Sequence, residues 1–357
     1  MSSEFLWYIP NQVEPGHRGD DATTDHNTFD ALVGHALTLE ERGWDGALIG
    51  TSWGRPDTFT LATALTARTT TFEPLIAIRP GYWRPANFAS AAATLDHLSG
   101  GRVRINIVSG QDRLAAYGDS EGDQAHRYAR TREFMQLVRR LWTEESVTFE
   151  GEHFSVTDST VQPRIVTRPG RPHPRLYFGG ASEAAERVAA TEADVQLFWG
   201  EPLDGVAERI DRLRALSAEL GREHAPLEFG LRITTVVRET TDEAWADAEA
   251  KVAVMAEQAR AGGGVDQRPH RGPATGQQRL LDLAARGDVI DDHLYTAPGR
   301  YGGGGAGTTW LVGSAEDVAK SLRRYADLGV TTFVLSDTPY VREMRRQGDH
   351  LLPLLRD

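Results

Sequence analysis

The sequence predicts an α/β protein of the (β/α)8 barrel class, and three observations carry that expectation. Short apolar strands alternate with amphipathic helices along nearly the whole chain. Eight such strand segments can be counted. The strands are continuous apolar runs rather than alternating ones, as for parallel strands buried on both faces. An open doubly wound sheet is the rival, but the first strand ends in Ile9-Pro10-Asn11-Gln12, without the glycine-rich first turn of that class.

The first strand is FLWYIP, residues 5–10, stopped by proline. The polar stretch after it holds Asn11 and His17. Residues 29–42 carry Leu32, Val33, Ala36, Leu37 and Leu39 at helical spacing. Gly43 ends that helix, and 47–49 form the second strand. Its carboxyl end bears Trp53, Arg55 and Asp57. Residues 61–69 are helical, and 74–78 (PLIAI) make the third strand, running out to Arg79 and Trp83. Residues 91–98 close the next helix at Gly100 and Gly101. The fourth strand, 103–108, contains Asn106 and ends in Ser109, Gln111 and Asp112.

Strands five to eight are expected at 176–178, 195–198, 229–237 and 332–335, with helices at 183–191, 203–220, 241–261 and 315–328. Two connections exceed ordinary loop lengths. The first, about 111–175, holds a helix at 128–142 and a hairpin at 147–156. The second, about 257–308, carries GGG at 262–264 and YGGGGAG at 301–307, and reads as a mobile lid or a disordered linker, with the lid expected. Residues 1–357 are expected to form a single barrel domain with these two insertions.

A net charge of −12 argues against nucleic acid as a partner. With 40% hydrophobic and 25% charged residues the chain reads as a globular protein. No signal peptide and no membrane span are visible, so a cytoplasmic location is expected. Cysteine is absent, which excludes disulfides and thiolate chemistry. No metal site is expected.

Catalytic groups of such barrels collect at the carboxyl ends of the strands. There the chain offers arginine and tryptophan but few paired carboxylates. That set suits an aromatic cofactor and a small anionic substrate. The junction LYFGGASEAAERVAA places Gly180, Ala181 and Ser182 between a strand and a helix start. Free N–H groups there could hold a phosphate; the alternative is a plain tight turn. Asn106 is either a ligand group or a polar residue filling a barrel layer. Trp199 reads as packing or as a site wall. Arg232, on an apolar strand, binds an anion or sits in a structural ion pair.

Taken together, FLWYIP, AATLDHLSGGR, NIVSG, HRYARTREF, LYFGGASEAAERVAA, LFWGEP, FGLRITTVVRETTDEAW, GGAGTTWLVG and FVLSDTP resemble the bacterial-luciferase-like flavin monooxygenases, and among them the alkanesulfonate monooxygenases. The resemblance implies a barrel that takes FMNH2 from a separate NAD(P)H-dependent FMN reductase and uses O2 to oxygenate its substrate. It implies Asn106, Ser109, Tyr128, Gly180, Ala181 and Ser182 as cofactor-binding residues. It implies Trp199 and Arg232 near a sulfonate, with Arg300 arriving from the lid. A homodimer or homotetramer is expected. The substrate shell departs from the alkanesulfonate pattern. Arg55 stands where those enzymes have a cysteine, and Thr234 where they have a histidine. Thr338 and Tyr340 replace a tyrosine and a histidine, and Gly303 the lid arginine. Arg55, Thr234 and Thr338 suit a bulkier or more polar sulfonate, such as a sulfosugar, and Trp53, Arg55, Thr234 and Tyr340 are the expected substrate-binding residues. The rivals are a luciferase-like enzyme for a non-sulfonate substrate, a deazaflavin-dependent (F420) reductase on the same barrel, and a flavin-storing protein without activity.

Overall fold

The structure, a computed structural model, describes residues 3–9, 28–109, 114–119, 123–260, 275–301 and 308–356. Among them the strands in chain order are β1 (Glu4–Ile9), β2 (Gly46–Ile49), β3 (Glu73–Ile78), β4 (Arg104–Ile107), β5 (Val147–Glu150), β6 (Ser155–Ser159) and β7 (Leu176–Gly179). They continue with β8 (Val195–Trp199), β9 (Glu228–Arg238), β10 (Val289–Ile290), β11 (Leu294–Tyr295), β12 (Trp310–Ser314) and β13 (Val330–Ser336). Eight strands pair in parallel in the order β1-β2-β3-β4-β7-β8-β9-β13, and β13 returns to β1. The sheet closes into the expected (β/α)8 barrel.

Alternation along each strand divides the core in two. Phe5, Trp7, Ile76, Ile105 and Phe178 face outward and pack on the surrounding helices. Leu6, Leu48, Leu75, Tyr177, Val195, Leu197 and Val334 fill the barrel. Full burial of each such side chain is worth about 1.5–3 kcal/mol, so the barrel is a packed core and not a channel.

Its amino end is closed by charge. Arg104 Nη1 lies 2.8 Å from Glu4 and Nη2 2.5 Å from Glu73. Arg175 pairs with Glu228 and lies 3.5 Å from Glu4. The Tyr177 hydroxyl accepts from Arg104 at 3.0 Å. Burial works to raise Glu4, but Arg104 and Arg175 hold it below its ordinary value.

The first insertion contains the helix Gln124–Thr143 and the β5–β6 hairpin, both near their expected places. The second is more structured than a glycine-rich loop. It holds the helix Thr275–Arg286, the short β10–β11 pair and the 3-10 turn Ala297–Tyr301. The unexpected β12 pairs in parallel with residues 234–238 of β9. β9 therefore forks. Its first half belongs to the barrel, and its second half supports an outer three-stranded extension. The segments 261–274 and 302–307, with both glycine runs, lie outside the described residues.

Candidate active site at the carboxyl end of the barrel

Inward alternation brings Tyr8, Asn106, Trp199, Arg232, Thr234 and Ser336 to the carboxyl ends of their strands. The Arg232 guanidinium lies over the Tyr8 ring, 4.7 Å from its centroid. Arg55 Nη1 donates to the Tyr8 hydroxyl at 2.8 Å. Two cations from separate strand ends thus converge on one tyrosine. Gly50 makes the room: a Cβ there would stand 3.0 Å from the Tyr8 oxygen and 3.2 Å from Arg55 Nη1. Thr234 and Ser336 hydroxyls are 3.2 Å apart on adjacent strands. Tyr340 opens the helix Tyr340–His350 and packs on the barrel-interior cluster that includes Tyr8 and Val334.

The rim is aromatic. Trp199 is 37% exposed, and the first turn of the helix Thr275–Arg286 lies against it. Trp53, 46% exposed, stands edge-on to Tyr117 at 4.8 Å, and Tyr117 stacks on Tyr82. Trp83 goes elsewhere, into an outer aromatic group with Phe59 and Phe88. Asp57, read as a strand-end residue, caps the helix Thr58–Thr66.

The turn after β7 is built around one glycine. Gly180 has φ of +149°, and a Cβ would fall 2.6 Å from that of Ala185, so no other residue fits without strain. Its carbonyl accepts from Gln196 Nε2 at 3.1 Å and Arg209 Nη2 at 2.6 Å. Ser182 is the N-cap of the helix Glu183–Glu192, its oxygen accepting from the Ala185 N–H at 3.3 Å. The Tyr128 hydroxyl lies beside the turn, 3.7 Å from where a Gly180 Cβ would be. Gly180, Ala181, Ser182 and Tyr128 are thus brought together as expected. Asn106 is 9% exposed, and its Oδ1 has no hydrogen-bond partner among the described residues. Such an orphan is costly unless a ligand satisfies it.

Two expected site residues are occupied otherwise. The Ser109 hydroxyl shares a 2.6 Å hydrogen bond with Thr131, tying the end of β4 to the helix that carries Tyr128. Arg300 pairs with Asp288 and donates to the Ala284 carbonyl at 2.8 Å. Its guanidinium is directed at the helix Thr275–Arg286, not at Arg232 and Tyr8. Asn11, His17, Gln111, Asp112 and Gly303 lie outside the described residues. Tyr8 and Arg209 were not foreseen in the sequence. A signal existed for Arg209: Val206, Arg209, Ile210 and Leu213 share one buried helix face.

A family profile described as Luciferase-like monooxygenase matches residues 3–332. Solved structures share the fold over essentially the full chain. A riboflavin lyase, solved with modified FMN and riboflavin, is 22% identical with a TM-score of 0.77, covering 100% of this chain and 92% of its own. EDTA monooxygenase from Chelativorans sp. BNC1 is 17% identical with a TM-score of 0.78, covering 99% and 93%. An F420-dependent secondary alcohol dehydrogenase is 18% identical with a TM-score of 0.69, covering 100% of both chains.

Proposed function

The chain belongs to the luciferase-like monooxygenase family, and on that premise we propose that it is an FMNH2-dependent monooxygenase that desulfonates an organosulfonate. The convergence of Arg55 and Arg232 on Tyr8 carries the anionic substrate. A guanidinium offers a sulfonate two parallel N–H donors, and a pair of them offers opposed clamps. The exposed Trp53 and Trp199 give the organic part a wall.

The residues fit FMN. The N–H groups of Gly180, Ala181 and Ser182 at a helix start suit its phosphate, with the Ser182 and Tyr128 hydroxyls beside them. The orphaned Asn106 Oδ1 suits an N–H of the flavin ring system. Reduced FMN, delivered by a separate NAD(P)H-dependent reductase, supplies two electrons and two protons, so that one oxygen atom of O2 reaches carbon and the other leaves as water. The C–S bond breaks, giving a carbonyl compound and bisulfite. Arg232 and Arg55 hold the sulfonate as it departs with the bonding pair. Tyr8 meets one guanidinium over its ring and the other at its hydroxyl, and the aromatic rim limits water at the mouth.

The F420-dependent neighbour keeps a reductase reading open to the same experiment. Sulfite release is measured over a panel of sulfonates, sulfosugars included, with supplied FMNH2 and O2. Sulfite from one or more members supports the proposal. FMNH2 binding without sulfite from any member overturns the substrate class. Turnover with reduced deazaflavin and none with FMNH2 overturns the cofactor.

A further inference from the structure

A chain of charges, buried at Arg209 and Glu201 and half-buried at Arg279, joins the turn after β7 to the helix Thr275–Arg286. Arg209 is 2% exposed and Glu201 3%. Arg209 Nη2 donates to the Gly180 carbonyl, Nε meets Glu186 at 3.1 Å, and Nη1 meets Glu201 Oε1 at 2.7 Å. The ring of Phe198 lies 4.7 Å beneath the same guanidinium. The second oxygen of Glu201 receives Arg279 Nη2 at 2.6 Å, and Arg279 belongs to the helix Thr275–Arg286. The Glu201 backbone is pinned as well, its carbonyl accepting from the buried Tyr325 hydroxyl at 2.7 Å.

We propose that Glu201 and Arg209 are positioning residues that couple occupation of the 180–182 turn to docking of the helix Thr275–Arg286. The inference rests on reading that turn as the FMN phosphate site. The Gly180 carbonyl and the Ala181 N–H belong to one planar trans peptide and point in opposite directions. By holding the carbonyl, Arg209 aims the N–H outward at the ligand. An anion on that N–H fixes the peptide and polarises its carbonyl toward Arg209. Arg209 is then held against Glu201, whose other oxygen holds Arg279.

The helix is poorly packed on this side. A cleft of about 280 Å³, lined by Glu201, Asp204, Glu208, Arg279, Asp282 and Arg286 among others, separates it from the start of the helix Leu203–Glu219. Ion pairs hold it there: Arg279 with Glu201, and Arg286 with Asp204 at 3.4 Å. Its first turn also lies against Trp199, and its other side meets the turn Ala297–Tyr301, where Gln277 donates to the Gly299 carbonyl at 3.1 Å. Docking the helix therefore also sets one wall of the site. Coupling of this kind is reciprocal, so the docked helix must tighten flavin binding by the factor with which flavin tightens docking.

The test is hydrogen exchange of the 275–286 amides with and without FMNH2 under anaerobic conditions, alongside FMNH2 titration. Glu201→Gln leaves the buried Arg209 short of charge and risks misfolding, so the variants are Arg279→Met and Arg279→Lys. In the wild type FMNH2 should slow exchange in this helix. Arg279→Met should lose most of that slowing and bind FMNH2 about five-fold or more weakly. Arg279→Lys should recover most of both. A merely structural arginine would speed exchange equally with and without the flavin. FMNH2 binding to the wild type without change in this helix, or Arg279→Met keeping full protection, overturns the coupling. Absence of FMNH2 binding to the wild type overturns the site reading instead.

Discussion

The Arg232 guanidinium stacks 4.7 Å above the Tyr8 ring while Arg55 takes the hydroxyl of the same ring. One side chain thus sets two cations by two different contacts, and substitution separates them. Tyr8→Phe keeps the ring under Arg232 but removes the acceptor from Arg55. A charged hydrogen bond of this kind is worth about 1.5–3 kcal/mol. Tyr8→Phe should raise KM for the substrate by roughly ten-fold or more with a small change in kcat. Arg232→Lys, which loses the planar fork, should lower kcat/KM by a larger factor and leave FMNH2 affinity intact. Steady-state kinetics with anaerobic titration checks both. Near-wild-type kcat/KM in Arg232→Lys would mean that the residue is structural.

Ser182 both caps a helix and faces the proposed phosphate site. Ser182→Ala mixes the two effects, since lost capping costs about 1 kcal/mol. Ser182→Asp separates them. Aspartate caps as well as serine but repels a phosphate. The variant should melt at or above the wild-type temperature and bind FMNH2 at least ten-fold more weakly. Unchanged affinity would place the phosphate elsewhere.

Asn106 has a buried oxygen with no hydrogen-bond partner among the described residues. Replacing such a group by an apolar one of similar shape is near neutral or stabilising. Asn106→Leu should therefore hold or raise Tm while FMNH2 affinity falls about ten-fold. A large drop in Tm would show Asn106 to be a satisfied core residue.

A second buried charge group adds its own dependence on pH. Arg238 lies 3.1 Å from Asp337 and 3.0 Å from Glu343, and Lys251 lies 2.9 Å from Asp337. Arg342 and Arg346 also approach Glu343, at 3.3 and 3.4 Å. Burial, and then the Asp337 carboxylate, push Glu343 up to about 7 against these cations. The folded protein then holds a proton that the unfolded chain releases near 4.5. Stability should fall as pH rises from about 4.5 through 7. Wild-type Tm should drop by a few degrees between pH 5 and 7.5 relative to Glu343→Gln, measured by calorimetry. Parallel Tm profiles in the two proteins would refute the shift.

All eight barrel strands were legible because each is a compact apolar run near a helix-ending glycine or a polar turn. β12 was not. Trp310–Ser314 follows a glycine run within a long polar connection, and its partner is the far half of β9, a pairing that no local pattern encodes. At the site, Gly180, Ala181 and Ser182 were legible because a strand–glycine–helix junction dictates its own geometry, whereas Tyr128, on a separate helix, was legible only through the resemblance of its HRY stretch. Tyr8 was hidden inside FLWYIP. Alternation splits that run, with Trp7 in the outer core and Tyr8 in the inner one, but only the closed barrel makes the inner face a site. Arg300 could be counted in the sequence, yet its direction depends on Asp288, a tertiary choice.

The ion pairs beneath Tyr177 give the barrel a floor. Arg104, Arg175 and their three carboxylates close the amino end, and packed side chains fill the space above them. The barrel is a cup. On the proposed function, cofactor, oxygen, substrate and both products would come and go at the carboxyl end, since the described residues close the amino end with ion pairs and packed side chains.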